Sequence, residues 1–277
     1  MDIYYMNGDF CAADRATVPV DDLALARGYG VFDFLRTYNG TPFFLNRHLE
    51  RLQHSANQIG LALPWTIAEL TTIVLETLRR NDHSESNIRI VVTGGSSPDF
   101  TTPQGRPRLM VLVTPAIRLP RQWYVEGVKI ITYEVDRFLP TAKSLNYLPA
   151  MLALDKARKQ QAVEAVYVDK SGSIQEGTTS NLFFFAADRL ITPADRILSG
   201  ITRKVLIDMA RKIWPVETRP VQMEELLEAD EVFLSSSNKE ILPVVHVDQN
   251  RIGNGEPGEH TRHLMKLFDD FTRDYAG

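Results

Sequence analysis

The run Thr141-Ala142-Lys143-Ser144-Leu145-Asn146-Tyr147-Leu148 places a lysine between the end of a strand-like segment and the start of an apolar helix. A lysine desolvated in such a pocket loses part of its preference for the ammonium form. It can then act as a Schiff-base nucleophile toward a carbonyl carbon. The same residue reads equally as a solvated loop lysine. In Gln175-Glu176-Gly177-Thr178-Thr179-Ser180-Asn181-Leu182-Phe183, an acid and a set of small hydroxyl residues precede a buried-looking strand. The alternative there is a strand-to-strand loop with ordinary hydroxyl turn chemistry. Leu198-Ser199-Gly200-Ile201-Thr202-Arg203 opens a helix. Gly200 allows close backbone approach, and the unpaired N–H groups of a helix start suit an anion such as phosphate. Thr202 is also consistent with a simple N-cap. Ser235-Ser236-Ser237-Asn238 is a polar loop between two apolar strands.

These segments need a scaffold, and hydrophobic periodicity supplies one. Residues 2–13 predict a hairpin turning at Asn7-Gly8, and Val31 to Tyr38, Asn39-Gly40 and Thr41 to Leu45 repeat the pattern. Leu49, Leu52, Ala56, Ile59 and Leu61 predict an amphipathic helix, and Thr66 to Arg80 a second. Strands follow at Ile88–Val92 and Leu109–Val113. Residues 115–127 hold two prolines without a clear period and read as a linker. We therefore expect a small domain over 1–117, a linker over 118–126 and a larger domain over 127–277. The larger part predicts a strand at Val128–Val135, a helix at Leu148–Gln161 and a strand at Ala165–Val168. A Lys170–Ser173 turn, strands at Asn181–Phe185 and Leu190–Thr192, and a helix at Thr202–Ile213 come next. Strands at Glu231–Ser235 and Ile241–Val247 and a helix near Glu259–Tyr275 complete it. Strands and helices mix in both halves, so the class is α/β or α+β.

Composition narrows the functions. The chain has 277 residues, 44% of them hydrophobic, and its 31 basic against 35 acidic residues leave a net charge of −4. No basic block argues for nucleic acid or a membrane surface. No apolar run approaches the length needed to span a bilayer. The start lacks the pattern of a signal peptide, and Cys11, the single cysteine, excludes an internal disulfide and a cysteine zinc cluster. A cytoplasmic protein is expected.

Taken together, these segments resemble the class IV (fold type IV) pyridoxal-phosphate aminotransferases, from the first hairpin to about residue 245. D-amino-acid aminotransferases, branched-chain aminotransferases and aminodeoxychorismate lyase form this group. The most specific element is Glu176-x-Thr178-x-x-Asn181-Leu182-Phe183, followed by Thr192 and Gly200-Ile201-Thr202-Arg203. The resemblance implies a small N-terminal α/β domain and a larger C-terminal pseudo-barrel α/β domain. It implies pyridoxal 5′-phosphate as cofactor, Lys143 as its covalent anchor, Glu176 at the pyridine nitrogen and Tyr147 at the ring 3-oxygen. Arg51, in His48-Leu49-Glu50-Arg51-Leu52, together with Thr179, Ile201, Thr202 and Ser237, completes the implied cofactor set. It further implies a homodimer, with the active site between the domains and closed by a second subunit.

Substrate choice rests on departures within that resemblance. Lys143-Ser144-Leu145-Asn146 is similar to the D-amino-acid enzymes, whereas Tyr147 is the branched-chain residue. Arg27-Gly28-Tyr29-Gly30-Val31-Phe32-Asp33-Phe34-Leu35-Arg36 aligns with a branched-chain motif, but Arg27 stands where that motif has tyrosine and Asp33 where it has glutamate. A cation there favours an acid-bearing substrate. Arg89, in Asn87-Ile88-Arg89-Ile90, is similar to a strand arginine that reaches the active site in branched-chain enzymes, and on a strand it points opposite to Ile88 and Ile90. Either arginine alone is also consistent with a surface salt bridge. The expectation is that Arg27, Tyr29, Arg89 and Asn238 bind substrate, with Lys239 crowding the carboxylate site that L-substrates use. The expected reaction moves amino groups between D-amino acids and 2-oxo acids such as 2-oxoglutarate or pyruvate. A branched-chain L-amino-acid aminotransferase and an aminodeoxychorismate lyase are the alternatives.

Overall fold

The computed structural model describes every residue from Met1 to Gly277. The chain forms two compact units. The first comprises Met1–Ile117, Ala142–Asn146 and Arg273–Gly277, and the second comprises Arg118–Thr141 and Tyr147–Thr272. Each holds one sheet with helices, a mixed α/β architecture.

In the first unit, β1 (Ile3–Met6) and β2 (Asp9–Ala12) form the expected hairpin, with positive φ at Asn7 and Gly8. A short helix, α1 (Leu23–Arg27), leads into β3 (Gly30–Tyr38), which turns at Asn39-Gly40 into β4 (Thr41–Pro42). Helices α2 (Leu45–Gln58) and α3 (Ile67–Arg79) precede β5 (Ser86–Thr93) and β6 (Arg108–Pro115). The strand order is β2-β1-β6-β5-β3-β4. Helix α3 starts at Thr66 because a capping box is encoded there. The Thr66 hydroxyl accepts from the Glu69 amide, while the Glu69 carboxylate accepts from the Thr66 amide. Leu49, Leu52 and Ala56 of α2 bury completely in one core with Val31, Leu35, Ile88 and Ile90. Each large aliphatic side chain buried in this way contributes about 1.5–3 kcal/mol. This packing fixes which face of α2 lies on β3.

The second unit begins with α4 (Arg121–Glu126), so the segment expected as a linker contains a helix. Its prolines precede the helix instead of interrupting it, and Trp123 and Tyr124 pack on the core. There follow β7 (Val128–Glu134), α5 (Leu148–Lys159), β8 (Glu164–Val168), β9 (Ser173–Gly177), β10 (Asn181–Ala186) and β11 (Arg189–Pro193). Next come α6 (Ile201–Ala210), β12 (Val216–Arg219), β13 (Val221–Gln222), α7 (Met223–Leu227), β14 (Glu231–Ser236), β15 (Glu240–Val247), β16 (Asn250–Arg251) and α8 (Glu259–Arg273). Nine strands run β12-β11-β10-β14-β15-β7-β8-β9-β13, with β16 paired to β15. Strand β9 replaces what the sequence predicts as a loop. Its polar sequence, Ser-Ile-Gln-Glu-Gly, hides a strand that is buried from Ile174 to Gly177. Strand β10 carries apolar side chains on both faces, and Phe183 stacks on Phe233 of β14 at 4.9 Å. No helix of either unit is long and apolar enough to cross a membrane.

Candidate active site

In the first unit, Lys143 lies on a short extended segment that borders β3. The Phe32 amide donates to the Lys143 carbonyl at 3.0 Å, the Leu145 amide donates to the Gly30 carbonyl at 2.9 Å, and Ser144 bridges Val31. A Cβ on Gly30 would fall 2.6 Å from the Val92 carbonyl oxygen and 2.7 Å from Leu145, so only glycine admits both neighbours. The Lys143 amide donates to Ser55 Oγ at 3.0 Å, and Ser55 Oγ donates to the Arg51 carbonyl at 2.8 Å. The lysine is thereby tied to the α2 face that carries His48, Arg51 and Ser55, spaced three and four residues apart. Its ammonium sits 4.6 Å from the centroid of the Phe32 ring.

Arg51 donates through Nε to Asp33 Oδ2 at 2.9 Å and through Nη2 to Asp33 Oδ1 at 2.8 Å. His48 Nδ1 lies 2.6 Å from the same Oδ1. Asp33 is completely buried. Burial alone would raise its pKa, but Arg51 and His48 outweigh that penalty and hold the carboxyl well below the usual range. His48 moves downward because it is buried, and Arg51 has already matched the Asp33 charge. Its Nε2 has no partner, which agrees with a neutral ring bearing its hydrogen on Nδ1.

The Arg89 guanidinium lies 5.2 Å from the Phe32 centroid and 5.4 Å from that of Phe34. Phe32 thus brings Lys143 and Arg89 to one ring. Arg89 is exposed while Ile88 and Ile90 are buried, the alternation expected of it. Arg27 is exposed at the end of α1 and donates to the Ala26 carbonyl at 2.8 Å. Tyr29 donates to the Ile59 carbonyl at 3.3 Å, so its hydroxyl is spent on the end of α2 and not on the Lys143 cluster.

In the second unit, the Glu176 carboxylate on β9 collects three donors. Arg137 Nη1 donates at 2.7 Å, the Leu198 amide at 2.9 Å and Asn181 Nδ2 at 2.9 Å. Arg137 also donates to the Arg196 carbonyl at 2.6 Å and lies 4.7 Å over the Tyr167 ring. Asn181 donates again to the Leu198 carbonyl at 3.0 Å, so Glu176 and the start of α6 are joined directly. Gly200 is the N-cap of α6, and no side chain caps the helix. A Cβ on Gly200 would meet Asn181 Oδ1 at 2.0 Å. Glycine at 200 thus makes room for the Asn181 side chain, and the amides of Ile201 and Thr202, both residues buried, begin a helix without a side-chain cap. Tyr147 occupies the N-cap of α5, near enough to Tyr167 to add to the upward pKa shift that burial gives that hydroxyl.

Thr179 and the loop with Ser237 and Asn238 meet through two residues that the sequence did not single out in this role. Lys239 Nζ lies 2.5 Å from Thr179 Oγ1 and 2.9 Å from Glu164 Oε2. The lysine is buried. Its side chain is therefore engaged by this pair, not left to crowd a carboxylate site, and that support for D-selectivity falls away. The charge-partner roles of Asp33, His48, Arg137 and Glu164 also escaped the sequence reading. A lone acid inside an apolar strand, as in Val31-Phe32-Asp33-Phe34-Leu35 and Val163-Glu164-Ala165-Val166, was the available signal.

Comparison with known proteins agrees with this chemistry. The family model for amino-transferase class IV matches residues 30–247. A Methanocaldococcus jannaschii protein, named provisionally as a branched-chain-amino-acid aminotransferase, is 37% identical over 96% of this chain and 95% of its own. The D-alanine aminotransferase of Listeria monocytogenes (strain 10403S) is 35% identical over 97% and 96%. A branched-chain amino acid aminotransferase from T.th., solved with pyridoxamine 5′-phosphate, superimposes with a TM-score of 0.92. It is 27% identical, over 98% of this chain and 94% of that one.

Proposed function

The chain belongs to the class IV aminotransferase family, and we propose that within it the chain moves amino groups between D-amino acids and 2-oxo acids. The family's cofactor is pyridoxal 5′-phosphate. The residues fit that group. Glu176 is a fixed, buried carboxylate suited to a ring nitrogen, and the uncapped start of α6 behind Gly200 suits a phosphate. When bound, the cofactor supplies an electron-accepting ring that stabilises the electron pair left as the substrate Cα loses its proton.

Lys143 Nζ would anchor the cofactor and, once released, would carry the proton between the substrate Cα and the cofactor carbon that takes the amino group. Glu176 would hold the ring nitrogen in its protonated form, and Tyr147 would bind the 3-oxygen. Arg51 supplies positive charge to the phosphate, with Ile201, Thr202, Thr179 and Ser237 as its polar partners. Because Asp33 fixes two arms of Arg51, the guanidinium is oriented before any phosphate arrives.

Arg89 supports a carboxylate site beside Lys143, as an exposed guanidinium with no carboxylate partner on the same phenyl ring as the Lys143 amine. Both enantiomers carry that carboxylate, so the D-reading is carried by Lys143-Ser144-Leu145-Asn146, similar to the D-amino-acid enzymes, and by the D-alanine aminotransferase relatives. We assign the substrate carboxylate to Arg89 and to Arg27, contributed by a second copy of the chain, with Tyr29 and Asn238 alongside. A homodimer is part of the proposal. Helix α5 supports it, since Leu148, Met151 and Leu152 are 63%, 63% and 54% exposed.

Tyr147, the 28–36 segment and the branched-chain relatives favour a second reading, an L-branched-chain aminotransferase. Half-reactions separate the two. With D-alanine, D-glutamate or L-leucine added singly to the holoenzyme, the cofactor absorbance should shift from the aldehyde to the amine form with a D-amino acid. Faster conversion by L-leucine than by either D-amino acid overturns the D-reading.

A further inference from the structure

Glu164, the first residue of β8, is completely buried, and three consecutive hydroxyls surround its carboxylate. Thr178 Oγ1 donates to Oε1, Thr179 Oγ1 donates to Oε2 at 2.8 Å and Ser180 Oγ donates to Oε2 at 3.3 Å. The turn closes this tightly because residue 177 is glycine, where a Cβ would lie 2.3 Å from Ser180 Oγ. Lys239 enters the same cluster from the loop between β14 and β15, with Nζ on Glu164 and on Thr179.

The backbone of Lys239 is held as firmly as its side chain. Its amide donates to Ser236 Oγ at 3.3 Å, and Ser236 Oγ donates to Asn238 Oδ1 at 2.8 Å. Its carbonyl accepts from the Tyr124 hydroxyl of α4 at 3.1 Å. Bonds through Lys239 therefore run from Glu164 to Asn238, and they join the side chains of a turn and a loop that flank the paired positions Asn181 and Ser235 of β10 and β14.

Stability alone does not account for a lysine here. A buried ion pair gains little over apolar side chains of the same volume, because desolvation of two charges offsets their attraction. What such a pair does supply is one permitted arrangement, since either partner displaced leaves a buried charge uncompensated. The two segments it locks are those assigned above to cofactor and substrate: Thr179 on one, Ser237 and Asn238 on the other.

We propose that Lys239 and Glu164 are positioning residues that hold the Thr179 turn and the Ser237–Asn238 loop at one spacing, making substrate recognition depend on this pair. The inference rests on the aminotransferase reading above. Its test uses the holoenzyme carrying Lys239→Met with Glu164→Gln, a change that removes both charges with little change of volume. We expect the amides of residues 237–239 to exchange with solvent about tenfold faster. We also expect KM for the preferred amino donor to rise about tenfold, with a smaller change in kcat. Lys239→Arg, which keeps the charge on Glu164, should recover most of both effects.

Wild-type amide exchange and wild-type KM in the double variant overturn the proposal. If that variant does not fold, Glu164→Gln alone reads the same two quantities, and no change in either has the same force. Amide exchange separates this inference from its premise. An inactive wild type sinks the aminotransferase reading, whereas an active wild type with unchanged exchange in the variants sinks only the positioning role.

Discussion

Arg51 pairs with Asp33 and is proposed to meet the cofactor phosphate, and its removal can be made to report the two separately. Arg51→Ala deletes the guanidinium that meets Asp33 through two bonds of 2.9 and 2.8 Å. Asp33 has no exposure to water, and His48, 2.6 Å away, and the Phe34 amide at 2.7 Å remain to face it without a fixed charge between them. Stranding one partner of a buried pair costs about 3–5 kcal/mol. At about 2–4 °C per kcal/mol for a chain of this size, the apoprotein should melt about 6–20 °C lower. Asp33→Asn in the same chain removes the stranded charge and keeps an acceptor for His48, so the double variant should regain at least half of the loss. Cofactor binding gives the second reading. A saturating ligand at a hundred times its Kd stabilises the wild type by about 2.7 kcal/mol, and this increment should shrink in both Arg51 variants. The double variant would then fold well yet respond weakly to pyridoxal phosphate. An apoprotein of Arg51→Ala that melts within about 1 °C of the wild type would refute the charge argument. A full cofactor increment in the double variant would remove Arg51 from the phosphate.

Two further outcomes follow from the same unit. Arg89→Ile should raise KM for every amino donor while the cofactor stays bound, because the guanidinium lies on Phe32 and contacts no protein carboxylate; steady-state kinetics with unchanged KM would dismiss it as a substrate ligand. His48 has its pKa lowered by burial from an ordinary 6.5, so the unfolded chain takes up a proton before the folded one does. Stability should therefore fall as pH drops below about 6.5, by at most about 1.4 kcal/mol per unit, and level off beneath the folded pKa. The depressed carboxyls of Asp33, Glu164 and Glu231 protect stability at neutral pH and lose that contribution only at lower pH, below their ordinary 3.8 to 4.5. Urea titrations from about pH 7.5 to about pH 5 isolate the histidine, and His48→Asn should flatten the slope.

The helices and most strands were legible because their signals are local. Apolar spacing gives α2 and α3, Thr66-x-x-Glu69 gives a start, and Asn7-Gly8 gives a turn whose φ values leave few other residues possible. Lys143, Glu176 and the Gly200 helix start were singled out by their combination, through the resemblance to class IV aminotransferases; each segment taken singly reads as an ordinary loop or helix cap. Strand β9 was not, since Ser173-Ile174-Gln175-Glu176-Gly177 has too few apolar residues to mark a strand and is buried only through neighbours distant in sequence. Helix α4 was hidden by the prolines around it.

The charge partners were illegible for a deeper reason. A buried acid is tolerable only if something else in the fold compensates it, and that something is set by topology, not by neighbouring sequence. Asp33 and Arg51 lie 18 residues apart, Glu176 and Arg137 lie 39 apart, and Glu164 meets Lys239 from another hairpin. In each case a cation near the assigned cofactor or substrate residues is already bound to a carboxylate. Such cations are not mobile counter-charges that wait for a ligand; their positions are set beforehand, so a ligand's anionic groups meet dipoles and guanidinium faces that need little reorganisation. Replacement of any one acid should consequently alter binding geometry more than net charge. For that reason, variants that neutralise both partners are more informative than those that remove one.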